Sequence, residues 1–174
     1  MDTKIGVYVC KGCDIGSCID IDKTIEEAIS EHPVHLSRTH DALCSPEGVE
    51  MIKKDIESEG LNRVVVGACS QRVFPELFTF GGDVMTERAC LREYVAWAHE
   101  PNDEDTQMIG EDYLRMAIVR AEIAEPPVPM EDEWSKDIMV IGGGITGMNA
   151  ARAAADAGYK VHLVEKEAEL GGWA

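Results

Sequence analysis

Short β-branched runs alternate with helical patterns along the first hundred residues, and this alternation restricts the chain to few architectures. The three clearest runs are Ile5 to Val9 (IGVYV), Val34 to Arg38 (VHLSR) and Arg63 to Ala68 (RVVVGA). Parallel strands that are neighbours in a sheet need long connections, and a helix is the usual one. The alternation therefore predicts an α/β domain built on a small parallel sheet.

The segments between these runs carry helix signals. Residues 22–31 have helical periodicity. In the next connection Ser45 can cap a helix that starts at Pro46, and Gly60 can end it. A further short helix is expected after Val73.

The pattern is weaker between the third run and the end of this domain. It predicts a short strand over 83–85 and a helical run over 87–99. Residues 103–124 then read as one long amphipathic helix that packs back on the sheet. The apolar positions that indicate this helix are Met108, Leu114, Met116, Ile118 and Ile123.

A stretch rich in proline and acidic residues, AEPPVPMEDEWSK, separates two regions of regular pattern. Its composition is typical of a stiff, extended linker. We therefore expect a domain over 1–124, a linker over 125–136 and the start of a second domain over 137–174.

Four cysteines follow the predicted strands. Cys10 and Cys13 come after the first strand, Cys44 after the second and Cys69 after the third. Loops at the carboxyl ends of parallel strands meet at one edge of a sheet, so we expect the four thiols to converge there. Tetrathiolate sites bind zinc or an iron–sulfur cluster, and a single CxxC followed by distant cysteines favours a cluster.

Other interpretations of the cysteines stay open at this point. A single cysteine is often only a small buried residue, and Cys18 is expected to pack near the first helix. Cys90 follows the weak strand and is an alternative ligand. Cys10 and Cys13 also have the spacing of a thiol redox couple, although the motif does not open a helix directly.

The sequence DIMVIGGGITGMNAA near the end of the chain has the pattern of a dinucleotide-binding turn. Gly142, Gly144 and Gly147 have the GxGxxG spacing between a predicted strand and a helix from Met148, and Glu165 ends the next strand. Such glycines give a tight turn, a close approach of the backbone to a pyrophosphate and close helix packing, while the acid binds a ribose hydroxyl. An acid at this position favours FAD or NAD over NADP.

Charge and hydropathy exclude some partners. The chain has 33 acidic and 16 basic residues among 174 and a formal charge of -17, which disfavours binding to nucleic acid. No apolar run is long enough to span a bilayer, and the first residues do not resemble a signal peptide, so direct membrane insertion is not expected. Six cysteines in such a chain fit metal or thiol chemistry in a cytoplasmic protein.

Several of these stretches resemble the A subunit of heterodisulfide reductase, and more closely its relative, the B subunit of the quinone-interacting membrane-bound oxidoreductase complex. The resemblance covers essentially the whole chain. It is carried by IGVYVCKGC, THDALCSPEGVEMIKKDI, NRVVVGACSQR, LREYVAWAHE, EDYLRMAIVRAE, MVIGGGITGMNAA and VHLVEKEAELGG.

The resemblance implies an iron–sulfur domain joined to a flavoprotein domain, working with other flavin or iron–sulfur subunits and associating with a membrane through a partner. The implied ligands of a [4Fe–4S] cluster are Cys10, Cys13, Cys44 and Cys69. The implied contacts to FAD are Gly142, Gly144, Ile145, Thr146, Gly147, Glu165, Lys166, Gly171 and Gly172.

The chain departs from the family pattern in two ways. Relatives often carry a cysteine where this chain has Val95, in LREYVAW, and Cys90 lies five residues earlier. In the family the flavin domain also continues well past the point where this sequence ends. We therefore expect the chain to be the N-terminal part of a longer protein and not to retain FAD by itself.

Two function classes follow. The first is an electron-transfer segment in which the cluster and flavin carry the chemistry and no side chain is a catalytic acid, base or nucleophile. Under that hypothesis His40, His99 and Glu93 are structural or surface groups. The second is a docking module with structural zinc or free thiols.

Overall fold

The computed structural model of the chain describes residues 3–130 and 134–172. It comprises two compact units, Met1–Pro127 and Val128–Ala174, and the division falls inside the predicted linker. Residues 131–133 of that linker lie outside the described residues. Within the described ranges, no helix is both long enough and apolar enough to cross a membrane.

The first unit is built on a parallel sheet of four strands in the order β2-β1-β3-β4. The two central strands are buried along their whole length, as expected for continuous β-branched runs covered on both faces. The α/β class and the three clear strands are thus confirmed. The strands are β1 (Ile5–Cys10), β2 (Val34–His40), β3 (Arg63–Ala68) and β4 (Met85–Cys90).

Local signals set most helix boundaries in this unit. The Ser45 side chain accepts a hydrogen bond from the Gly48 amide, and Gly60 ends the helix at φ 64°, as predicted. Asp103 caps the long helix in the same way, with its carboxylate accepting from the amides of Asp105 and Thr106. The helices are α1 (Ile15–Cys18), α2 (Ile21–Ile29), α3 (Pro46–Glu59) and α4 (Glu104–Ile123).

The prediction for residues 83–99 was largely wrong. Residues 85–90 form β4, which pairs in register with β3 from Arg63 opposite Met85 to Ala68 opposite Cys90. The charged residues Glu87 and Arg88 obscure the strand pattern of β4. Because β4 is an edge strand, it can carry these side chains, whose partners are Arg120 and Cys69. The rest of the predicted helix is one π-helical turn, Arg92–Ala96, and the short helix after Val73 is the 3₁₀ turn Pro75–Phe78.

The long helix α4 packs on β3, β4 and α2, as predicted, but with a different face from the one expected. Leu114 and Ile118 are buried, whereas Met108, Met116 and Ile123 are exposed. The other buried residues of α4 are small or polar, namely Thr106, Gly110, Glu111, Ala117 and Ala121. At Gly110 the Ile19 side chain lies close to the helix, which leaves no room for a larger residue.

A buried polar group joins the sheet to α3. The Tyr8 hydroxyl, on β1, donates to the Asp55 carboxylate at 3.2 Å. Arg38 of β2 donates to both oxygens of the same carboxylate, at 2.6 and 3.0 Å. Burial and the neighbouring Asp55 raise the pKa of Tyr8 above its ordinary range. The buried tyrosine therefore stays protonated and hydrogen-bonded.

The second unit contains one strand–helix–strand motif. Strand β5 (Ile138–Ile141) pairs in parallel with β6 (Val161–Val164), and α5 (Ile145–Asp156) connects them. The helix starts three residues before the predicted Met148, so Gly147 lies in its first turn.

Candidate functional site

The carboxyl edge of the first sheet carries all four cysteines that the sequence singled out. Cys10 is the last residue of β1 rather than the first after it, and Cys69 directly follows β3. Cys13 and Cys44 lie in the loops after β1 and β2 and are exposed, while Cys10 and Cys69 are buried. None of the six cysteines forms a disulfide.

The loops after β1 and β2 are in close contact. The Cys10 sulfur lies 3.8 Å from the carbonyl oxygen of Asp41, and the Lys11 amide donates to the carbonyl of His40 at 2.9 Å. Gly12 packs so closely against the Asp41 carbonyl that a side chain at this position would overlap it. Beside it, Cys13 adopts a left-handed backbone conformation, at φ 53°. The loop after β1 is therefore held against the loop that carries Cys44.

Two arginines contact candidate ligands at this edge. Arg88 Nη2 donates to the Cys69 sulfur at 3.3 Å and to the Cys69 carbonyl oxygen at 2.9 Å. Arg92 Nη1 lies 3.8 Å from the Cys13 sulfur, and its guanidinium lies over the Trp97 ring at 4.6 Å. Both arginines bring positive charge to thiols that must be deprotonated to bind a metal.

Glu93 connects the loops after β3 and β4. Its carboxylate accepts hydrogen bonds from the Ser70 amide at 2.8 Å, from Arg92 at 2.7 Å and from the Cys90 thiol at 3.2 Å. Burial opposes ionisation of Glu93, but these donors hold its pKa below the usual range. Glu93 therefore has a structural role at the carboxyl edge of the sheet, where it holds the two loops together.

Cys90 lies at the same edge in a different environment from the four candidate ligands. Burial, together with the hydrogen bond to Glu93, raises the pKa of the Cys90 thiol to about 11. A thiol that donates to a carboxylate is a poor metal ligand, because loss of its proton would leave two negative groups in contact. Cys18 is buried at the end of α1, a short helix that the sequence did not predict, and burial raises its pKa as well.

The geometry expected of a single bound metal ion is absent from the described parts of the chain. Over residues 3–130 and 134–172, no group of three or more His, Cys, Asp or Glu side chains is arranged to hold a metal ion. The four candidate thiols share an edge of the sheet and belong to three neighbouring strands and their loops.

In the second unit, the glycine-rich turn forms an open cradle at the start of α5. Gly142 has φ 102°, and a Cβ on Gly147 would overlap the Gly142 carbonyl. A Cβ on Gly144 would meet nothing within 4 Å, and this residue caps α5 without a side-chain hydrogen bond. The first amides of α5 therefore face a cavity of about 670 Å³. Its walls are Val140, Ile141, Gly142, Gly144, Ile145, Thr146, Gly147, Ala150, Gly171 and Gly172.

Residues after β6 return to this turn. The Gly171 amide donates to the Gly143 carbonyl at 2.9 Å, and Gly171 forms a parallel bridge with Gly144. One oxygen of Glu165 accepts from the Gly143 amide at 2.5 Å, and the other accepts from the amides of Lys166 and Glu167. The bonds from Glu167 and Gly143 lower the pKa of Glu165. The structure thus brings together the glycines, Ile145, Thr146 and Glu165, whereas the Lys166 side chain contacts Glu167.

The sequence interpretation missed the two arginines at the thiol edge. The helical run predicted over 87–99 includes Arg88, which in the structure lies two residues before the end of β4. The alternation in MTERAC, with Arg88 and Cys90 on one face, is the signal that could have revealed it.

Comparison with known proteins gives a match for each part of the chain. Residues 140–174 match the NAD(P)-binding Rossmann-like domain. Over 178 residues the chain is 35% identical to the A subunit of the H(2):CoB-CoM heterodisulfide,ferredoxin reductase of Methanothermobacter marburgensis, with 98% of this chain and 27% of the relative covered. Identity, length and coverage are the same for the second iron-sulfur A subunit of the CoB--CoM heterodisulfide reductase of Methanopyrus kandleri.

The similarity to the heterodisulfide reductase A subunit extends over nearly the whole chain. A protein from Archaeoglobus profundus, named as resembling that subunit, is 34% identical over 181 residues, covering 98% of the chain and 25% of that relative. The chain thus spans about a quarter of the length of these relatives. The expected resemblance to this subunit type is confirmed, and the relatives are oxidoreductase subunits by name. The closer resemblance to the quinone-interacting complex stays a prediction.

Proposed function

We propose that the chain is the electron-transfer segment of a flavoprotein of the heterodisulfide reductase A-subunit type. The observation that carries this proposal is the presence, in one chain, of four thiols at one sheet edge and a glycine cradle of the dinucleotide-binding type. In the proposal, the thiols hold a [4Fe–4S] cluster and the cradle holds FAD in the full-length protein. The proposed cluster ligands are Cys10, Cys13, Cys44 and Cys69.

The donor set fits an iron–sulfur cluster by its chemistry. Thiolates are the usual ligands of [4Fe–4S] clusters. Arg88 and Arg92 supply positive charge and N–H donors to Cys69 and Cys13, which favours the thiolate form and offsets the negative charge of a bound cluster. Hydrogen bonds to ligand sulfurs and exclusion of water are the means by which a protein tunes a cluster's potential. A bound cluster would supply one-electron transfer.

The glycine cradle fits the pyrophosphate of a dinucleotide. Gly144 leaves open space where a side chain would stand, and the uncapped start of α5 presents backbone amides to an anion. Three backbone amides already hold the Glu165 carboxylate next to this turn, where it can accept a further bond from a ribose hydroxyl. An acid there supports FAD rather than a cofactor with a 2′-phosphate. Bound FAD would supply two-electron chemistry.

The names of the relatives support partners of a similar kind. One name includes a ferredoxin reductase, and another describes an iron–sulfur subunit. We propose that the chain exchanges electrons with other flavin or iron–sulfur subunits, and that its complex is of the quinone-interacting type, in which a partner provides contact with the membrane. Six unpaired cysteines support a reducing, cytoplasmic location. The domain limits 1–124 and 137–174, with a linker over 125–136, are part of this proposal.

The deciding experiment is anaerobic purification of the chain followed by iron, sulfide and zinc analysis and a visible spectrum. We expect about four irons and four sulfides per chain. A Cys44→Ala, Cys69→Ala double variant should lose them, whereas Cys90→Ala and the buried control Cys18→Ala should keep them. Zinc in place of iron, or no metal in a folded chain, would contradict the proposal and favour the docking module.

A further inference from the structure

We propose a second binding site in the first unit, for a small organic anion with a carboxylate or phosphate group. The site is a cavity of about 260 Å³ beside the end of β4. It does not depend on a cluster or a flavin, and so it goes beyond the function proposed above. The lining residues that carry the argument are Ser70, Arg72, Arg88, Tyr94, Tyr113 and Arg120.

The charge of the cavity is opposite to that of the chain. The chain has 33 acidic residues and only eight arginines, yet three of those arginines line this cavity and no Asp or Glu is among its lining residues. The guanidinium group is planar and presents paired N–H donors that match carboxylate and phosphate oxygens. A concentration of arginine in an acidic protein favours an anionic ligand.

Arg88 gives the strongest support, because it is a buried cation without a carboxylate partner within the described residues. Only 7% of the residue is exposed, and its guanidinium lies 4.3 Å from the centre of the Phe78 ring. Only Nη2 is used for hydrogen bonds, to Cys69 and Ser70, whereas Nη1 and Nε make none in the described parts of the chain. Buried charges are normally paired. The Cys69 thiolate proposed above would meet Nη2 alone, and an anion in the cavity would supply an acceptor for the Nε donor that the described residues leave unmatched.

The other two arginines lie nearer the solvent. Arg72 is exposed, and its side chain forms no ion pair with any residue in 3–130 or 134–172. Arg120 pairs with Glu87 at 3.2 Å but keeps 54% of its side chain exposed. Arg72 is therefore available to a ligand directly, and Arg120 contributes a charge that Glu87 offsets in part.

Two tyrosines define the size and shape of the ligand. The rings of Tyr94 and Tyr113 are 5.8 Å apart and inclined at 45°, and both residues line the cavity, so they offer it aromatic surface. The cavity is somewhat smaller than the range of about 300–1,000 Å³ that holds drug-sized ligands. A short carboxylic acid or a small phosphate ester matches both the walls and the volume.

The test is calorimetric titration of the whole chain with inorganic phosphate and, separately, with malonate, at constant ionic strength set with chloride. We expect saturable binding that weakens at least tenfold in Arg72→Gln and in Arg88→Gln. The control Arg115→Gln removes an arginine of α4 that pairs with Asp112 outside the cavity, and it should bind as the unaltered chain does.

If Arg88→Gln fails to fold, the binding of Arg72→Gln tests the proposal alone. Arg72 is exposed, so we expect this variant to fold, and circular dichroism can verify that it does. Tighter phosphate binding would indicate a phosphate ester, and tighter malonate binding a carboxylic acid. No saturable binding of either probe, or equal binding by Arg72→Gln and Arg115→Gln, would overturn the proposal.

Discussion

The guanidinium of Arg88 donates from Nη2 to both the sulfur and the carbonyl oxygen of Cys69, at 3.3 and 2.9 Å. This one side chain therefore connects the last strand of the sheet to the residue that follows β3. It fixes the backbone of the third cysteine-bearing loop and the position of its thiol at the same time.

Replacing Arg88 should destabilise the first unit. In Arg88→Gln the buried Cys69 carbonyl and the partly buried Ser70 carbonyl lose a charged donor, and we expect the free energy of unfolding to fall by about 2–3 kcal/mol. Urea denaturation of the metal-free, reduced chain measures this, with Arg115→Gln as the surface control. The stability of Arg88→Lys should lie between the stabilities of Arg88→Gln and Arg115→Gln, because an ammonium group keeps the charge but lacks the planar set of N–H donors. An unchanged urea midpoint for Arg88→Gln would contradict this account.

Tyr8 should make the stability of the first unit fall at alkaline pH. Burial and Asp55 raise its pKa in the folded chain, so above the ordinary tyrosine pKa of about 10 only the unfolded chain releases the proton. The stabilisation is complete below that pH and is lost as the pH rises towards the folded-state pKa, by about 1.4 kcal/mol per pH unit. Urea denaturation between pH 8 and 11 should show this loss in the unaltered chain and a smaller one in Tyr8→Phe. The exposed control Tyr94→Phe should behave like the unaltered chain.

Gly12 should tolerate no side chain, although its backbone conformation is open to any residue. The methyl group of Gly12→Ala would overlap the Asp41 carbonyl and push apart the loops that carry Cys13 and Cys44. We expect a loss of about 1–3 kcal/mol in stability, as for other overpacked sites, and a lower iron content after anaerobic purification. Gly144→Ala is the matched control, since its methyl group meets nothing within 4 Å. Equal iron content in the two variants would show that the close packing of Gly12 against Asp41 is not needed for binding iron.

Alanine substitutions at Gly144 and Gly147 should have different effects, the first on flavin binding and the second on the fold. The methyl group of Gly147→Ala would overlap the Gly142 carbonyl and separate α5 from β5, so this variant should lose helical circular dichroism in the second unit. Gly144→Ala should keep the fold of the chain but lower the flavin content of the purified full-length protein at least tenfold, because its methyl group occupies the cradle. Normal flavin content in Gly144→Ala would show that the pyrophosphate lies elsewhere.

The parts of the fold that sequence predicted well depend on local signals. Ser45, Pro46 and Gly60 mark the ends of α3 because capping needs only side chains close in sequence. The prediction failed at β4, where Glu87 and Arg88 make a strand look helical unless their distant partners Arg120 and Cys69 are known. It failed for the same reason on α4, whose buried face includes Gly110, next to Ile19.

By itself the sequence determined the α/β class, the strands whose residues are mostly apolar, the glycine turn with its acid, and the alignment of four cysteines after three strands. These features follow from the periodicity of the sequence and from the parallel arrangement of the strands, whose carboxyl ends lie at one edge of the sheet. Only the tertiary structure decided that Met85–Cys90 form a strand beside β3. It also decided that Arg88 contacts the thiol of Cys69 and Arg92 that of Cys13. It decided as well that burial and a hydrogen bond to Glu93 raise the pKa of the Cys90 thiol. The arginine contacts join residues far apart in the chain, and the environment of Cys90 depends on its burial, so local pattern alone did not fix these outcomes.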